Sequence, residues 1–302
     1  MAGPTLRAFR SRALLGALGA LSFVVRRLSL TSSQRIGRTL GTIANVVARR
    51  ELRQSMANMA IAFPDWSAVQ RRAVTRSMFR HHGTTLFEIL WLTKRDEVAR
   101  AAATRFEGVE PVLELIRNGK SIVAFTGHCG NWEWLAYSCA KLGIPVSVMQ
   151  RERSEPGLNE FITNIRKGAG LETIDRGSTA AGREMIRAMR RPGAIAFLID
   201  QSIRAESAKV PFFGRPALTP IGPATPAIRT GAHAVAIFIE RRGGVHTIRC
   251  SAPIETKRDD DPIKLTADMT LEIERHIREV PEQWVWMHDR WRDRPSWDVG
   301  LR

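Results

Sequence analysis

Between Ser121 and Gly143 the chain reads SIVAFTGHCGNWEWLAYSCAKLG. This stretch restricts the fold more than any other. Residues 121–126 form a brief, apolar run rich in β-forming side chains, as expected of a parallel strand covered on both faces. Asn131 is suited to cap a helix that carries Glu133 in its first turn, where the helix dipole favours a carboxylate. Lys141 and Gly143 mark that helix's end. His128 then falls on the loop at the carboxyl end of a strand, where open α/β sheets gather ligands. The same alternation continues downstream, with strands at 146–150, 171–175 and 194–200 and helices at 157–167 and 179–190. Strands alternating with helices predict a mostly parallel central sheet flanked by helices, an α/β fold with right-handed crossovers. A hairpin is expected at 234–240 and 245–251, and a last helix at 261–279.

His128 and Glu133 are five residues apart, too far for one helix face, where side chains three or four apart meet. With His128 on the loop and Glu133 on the first helical turn, the carboxylate can turn back to the imidazole. A base oriented by a third group is the general device for activating a hydroxyl. Spacing alone leaves this reading open beside that of a loop histidine with an unrelated surface glutamate. Asp200, at the end of a strand in the same sheet, is expected on the same edge, as a site residue or a loop cap. Arg151 and Arg166 are candidates for phosphate recognition or for a solvated surface. No glycine-rich nucleotide loop and no metal-type spacing is present, so neither a metal nor a cofactor is expected.

The segment GHCGNWEW resembles the H-x-G-N-W-E block of the bacterial lipid A late acyltransferases, the lauroyl- and myristoyl-transferase family within the lysophospholipid acyltransferase-like superfamily. Further blocks follow that family's order. Arg53, Asn58 and Ala62-Phe63-Pro64-Asp65 lie upstream, followed by Glu88. Gln150-Arg151 with Arg166, then Asp200-Gln201, Val210 to Gly214, Gly222-Pro223-Ala224 and Thr230-Gly231-Ala232 lie downstream. The last block runs from Pro281 to Arg294. The resemblance implies a glycerolipid-acyltransferase-like fold and an O-acyltransferase, with His128 as general base and Glu133 as its orienter. Arg151, Arg166, Asp200, Gln201 and Asn131 would then bind substrate. The donor would be a thioester of acyl carrier protein or of coenzyme A, and the acceptor a lipid A precursor, another glycolipid or a lysophospholipid. Mannoside-type relatives carry a glutamate before the Phe-Phe-Gly; Lys209 and Pro211 stand there here, which favours the lipid A-like branch.

The formal net charge of +16, mostly from arginine, fits an anionic lipid or membrane surface as partner; no nucleic-acid motif accompanies it. Residues 1–53 hold ten arginines and one acid, Glu51. They are expected to form an amino-terminal, membrane-associating helical segment ahead of an acyltransferase domain at 54–302. Residues 13–25 are apolar but would rise only about 20 Å as a helix, short of a bilayer core. Together with the family resemblance this implies peripheral or single-anchor attachment at the cytoplasmic face of a bacterial inner membrane. A basic, non-enzymatic membrane-binding protein explains the charge but leaves the ordered blocks as coincidence. Three cysteines without paired spacing fit a reducing compartment. Trp284, Trp286, Trp291 and Trp297 are expected to pack or to anchor at an interface.

Overall fold

The chain opens with four helices, α1 (Pro4–Val25), α2 (Leu30–Val47), α3 (Arg49–Ala62) and α4 (Ala68–Leu92). Ser67 starts α4 with a reciprocal capping box to Gln70, which satisfies two otherwise orphaned amides. The computed structural model describes residues 4–151, 155–203 and 205–292, apart from the side chains of residues 4–10. Ser33, Gly37 and Gly41 face α4, and a Cβ on Gly83 of α4 would sit 2.2 Å from the Gly37 carbonyl oxygen. Glycine at 83, which a propensity argument counts as a weak point, is where the two backbones cross.

The α/β body then runs through α5 (Glu97–Ala102), β1 (Thr104–Glu107), α6 (Glu110–Arg117), β2 (Ser121–Thr126) and α7 (Trp132–Lys141). It continues with β3 (Val146–Gln150), α8 (Pro156–Ala169), β4 (Glu172–Asp175), α9 (Ala181–Met189) and β5 (Gly193–Leu198). A hairpin, β6 (Ser207–Phe212) and β7 (Arg215–Pro220), precedes α10 (Ala224–Thr230), β8 (His233–Arg242), β9 (Val245–Cys250) and α11 (Pro262–Glu279). The main sheet has the order β1-β9-β8-β2-β5-β3-β4. Every pair in it is parallel except β8–β9. The mostly parallel sheet flanked by helices is therefore present.

Along β2, Val123 and Phe125 enter one core cluster while Ile122 and Ala124 enter the other, the two-residue alternation of a strand buried on both faces. Of the amino-terminal elements, α1 packs on α8, and its Ser11 Oγ accepts from the Gly157 amide at 2.6 Å. It is thus docked on the α/β body rather than held apart from it. Helix α3 runs through residue 53, so the amino-terminal segment joins the rest by a continuous helix. No helix among the described residues is long and apolar enough to cross a membrane.

Candidate active site

Strands β2 and β5 are central neighbours in register, with Thr126 opposite Leu198. Their carboxyl ends therefore release two loops side by side, one carrying His128 and the other Asp200. The Asp200 carboxylate is fully buried and accepts three hydrogen bonds. The His128 backbone amide donates to Oδ2 at 2.8 Å, the Trp284 indole Nε1 donates to Oδ2 at 2.7 Å, and His128 Nδ1 lies 2.8 Å from Oδ1. Burial works to raise the carboxyl pKa, but the nearby His128 charge and these hydrogen bonds override it and hold Asp200 at about 2. An ionised carboxylate can only accept, so Nδ1 carries the proton. Nε2, across the ring, then keeps its lone pair. The imidazole packs edge-on against Trp132, ring centroids 5.0 Å apart.

Two glycines make this turn. A Cβ on Gly127 would stand 3.3 Å from the Asp200 carboxyl carbon. Gly130 has φ +60°, and a Cβ there would be 2.3 Å from the Ile239 carbonyl oxygen. The left-handed backbone and the close approach both exclude a side chain.

Glu133 does not take the orienting position. Its carboxylate, buried on α7, accepts from Arg166 Nε at 2.9 Å and Nη2 at 2.6 Å, while Arg166 Nη1 donates to Gln150 Oε1 at 2.5 Å. The first turn of α7 presents Glu133 toward α8, where Arg166 sits, and the nitrogen an orienter would hold is bonded to Asp200. Asn131 is likewise turned away from solvent. Its Oδ1 caps α7 by accepting from the Trp134 amide, and its Nδ2 donates to Glu88 at 3.0 Å. Two amides of this loop are committed within the fold, that of His128 to Asp200 and that of Gly130 to the Gln283 carbonyl.

Glu88 anchors the loop from behind. It is wholly buried and accepts from Gln34 at 2.8 Å, from Asn131 and from Arg241, with His246 Nε2 at 3.1 Å. Burial alone would raise its pKa; the charges of His246 and Arg241 with the hydrogen bonds bring it down to about 2.

A cleft of about 930 Å³ opens in front of His128, with Arg151, Arg166, Arg176, Gln201 and Arg292 on its walls. His128, Arg151, Arg166 and Gln201 therefore share one cavity. An apolar slot adjoins it, walled by Ile122, Ala124, Val146, Val148, Ala194 and Ala196. Trp132, Arg166 and Leu198 border both spaces. Cys129, next to the histidine, is buried, and burial pushes its thiol well above the usual range. It is a core residue and a poor nucleophile. Among the described residues no group of His, Cys, Asp and Glu is placed to hold a metal.

The profile of the bacterial lipid A biosynthesis acyltransferases matches residues 9–293. The chain belongs to this family. Among curated relatives, a lipid A biosynthesis acyltransferase of Haemophilus influenzae is 24% identical over 88% of this chain and 82% of its own. The Escherichia coli lipid A biosynthesis lauroyltransferase is 26% identical over 92% of this chain and 91% of its own. The myristoyltransferase of the same organism is 22% identical over 82% and 77%. As a member of a family of acyltransferases, the chain is an enzyme, and the basic non-enzymatic reading falls away.

Sequence reasoning did not place Arg176 at the cleft or Trp284 against Asp200. Trp284 and Trp286 are completely buried and Trp291 nearly so, which gives them packing roles and rules out interfacial anchoring; Trp297 lies outside the described residues. The signal for Trp284 was available, because a buried indole needs an acceptor.

Proposed function

We propose that the protein transfers a fatty acyl chain from the thioester of acyl carrier protein, or of coenzyme A, to a hydroxyl of a lipid A precursor at the cytoplasmic face of a bacterial inner membrane. The observation that carries this reading is the His128–Asp200 pair opening onto a cleft that adjoins an apolar slot. His128 Nε2 accepts the proton of the acceptor hydroxyl as its oxygen attacks the thioester carbonyl carbon. Asp200 stabilises the imidazolium so formed. The tetrahedral oxyanion collapses, the carbon–sulfur bond breaks, and Nε2–H returns the proton to the departing thiolate. An ester and a free thiol result. No acyl-enzyme is required, because the thioester is already activated.

Arg151, with Arg176 and Arg292 on the walls of the same cleft, supplies positive charge for the oxyanion or for phosphates on either substrate. The apolar slot, about 50 Å³ in this structure, takes the part of the acyl chain that enters beside Trp132 and Leu198. Glu133 serves by fixing Arg166 at the junction of slot and cleft.

The test is incubation of the full chain with radiolabelled acyl-acyl carrier protein and a lipid A precursor. Label in the lipid phase supports the reading. Label released as free fatty acid at the same rate with and without acceptor points to a thioesterase. Label entering only a lysophospholipid or another glycolipid moves the acceptor. Filling the slot should also change donor choice. Ala194→Leu is expected to shift preference toward shorter chains, by about fourfold for each excluded methylene, since burying one contributes about 0.8 kcal/mol. Competition between donors of different chain length measures it.

A further inference from the structure

A second basic cavity lies away from the cleft and shares no lining residue with it. It is a groove of about 420 Å³ between the end of α2, the start of α3 and the first turns of α4, lined by Arg49, Arg53, Arg72 and Arg76 with Asn45, Val46 and Leu52. Arg49 and Arg53 stand four apart on α3, and Arg72 and Arg76 four apart on α4. Like charges at that spacing destabilise a helix, and Arg49 also sits at the helix end where the dipole disfavours a cation. None of the four forms an ion pair among the described residues. Two unfavourable pairs therefore converge on one cavity without a carboxylate between them. The buried Asn45 Oδ1 beside them has no hydrogen-bond partner; its amide group, turned over, offers a donor instead.

The groove opens onto an apolar surface. Val46 belongs to its wall and is 69% exposed, and Ile36, Leu40, Ile43 and Val47 are exposed on the same helix. Helix α2 is amphipathic in an uncommon sense, because its small-residue face of Ser33, Gly37 and Gly41 is buried against α4 and its large apolar residues are turned outward. Arginines beside exposed aliphatic side chains suit a bilayer interface, with charge at headgroup depth and apolar groups below it.

We propose that this groove binds the phosphate of an anionic membrane phospholipid, whose alkyl chains run along the outer face of α2. The site is separate from that of the acyl acceptor. It seats the enzyme on the membrane in a fixed orientation.

The experiment is flotation of the full chain with vesicles of phosphatidylcholine, with and without a minority of phosphatidylglycerol. The double variant Arg72→Gln/Arg76→Gln is compared with a charge-matched double, Arg117→Gln/Arg258→Gln, at exposed positions elsewhere. The groove double is expected to lose about tenfold or more in binding to the anionic vesicles, and the control double less than about threefold. Soluble glycerol phosphate in excess should not displace the wild type, and turnover on detergent-dispersed substrates should be unchanged in the groove double. Equal loss in both doubles would reduce the effect to overall charge and overturn the site. Full displacement by glycerol phosphate would make it a soluble-anion site. Loss of acyl carrier protein binding with vesicle binding intact would assign the groove to that protein. Loss of turnover in detergent would assign it to the reaction. Each of these contradicts the proposal.

Discussion

Asp200→Asn is expected to lower kcat by about a thousand- to ten-thousandfold with little change in KM. The side chain keeps its shape, but the three groups that face it are all donors: the His128 amide, His128 Nδ1–H and the Trp284 indole. Asparagine offers one acceptor oxygen and adds a donor. The imidazole is then relieved by moving its proton to Nε2, which removes the base from the cleft. Glu133→Gln, in contrast, leaves Nδ1 bonded to Asp200 and disturbs the Arg166 pair. Its loss in kcat should be at least tenfold smaller, with a larger share appearing as lowered stability. Steady-state kinetics of the two variants beside thermal melts separates these roles. Equal losses in kcat would return the orienting role to Glu133.

Glu88→Ala should be the most destabilising single change behind the site. The carboxylate is wholly buried and gathers Arg241, His246, Asn131 and Gln34. Removing it strands a buried guanidinium, for which about 3–5 kcal/mol is usual. In a chain of this size that corresponds to a fall in Tm of roughly 10 °C. Because Asn131 caps α7 and Gly130 accepts from Thr85, the His128 loop should loosen with it. The same group sets an acid limit. Its folded pKa of about 2 lies below the unfolded value of about 4.3, so its contribution is complete above the unfolded value and is lost as pH falls toward the folded one. Between about pH 4 and 2 the wild type should lose stability faster than Glu88→Gln, as read from denaturant midpoints along that range.

The stretch 121–143 was legible because its signals are local. Strand, glycine-flanked turn, cap and stop all lie within reach of one another in sequence, and β2, the turn and α7 follow them. The position of Asp200 on the His128 edge was legible because both residues follow the carboxyl ends of strands in one parallel sheet. Its bond to Nδ1 was not, since 72 residues separate the two and only the β2–β5 register brings them together. The partner chosen for His128, Glu133, has the right charge on the wrong side of α7, a direction that spacing does not encode. The β6–β7 hairpin is hard to read from sequence, because Pro211, Pro216 and Pro220 interrupt it. The buried alternation of Ala208, Val210 and Phe212 was nevertheless present, and proline is tolerated in a two-stranded pair where its missing donor faces outward. The residues Ile36, Leu40, Ile43 and Val47 form an apolar stripe on α2 at helical spacing. Its outward orientation follows from Gly37 and Gly41, which claim the α4 contact.

The central claim is that His128 activates an acceptor hydroxyl for attack on an acyl thioester, and single-turnover acyl transfer tests it most directly. Wild type and His128→Ala are each mixed in excess with labelled acyl-acyl carrier protein and lipid A precursor, and the rate of ester formation is read. A fall of at least about a hundredfold in His128→Ala, with the fold intact by circular dichroism, is the expected result. Ester formation by His128→Ala at the wild-type rate would contradict the account.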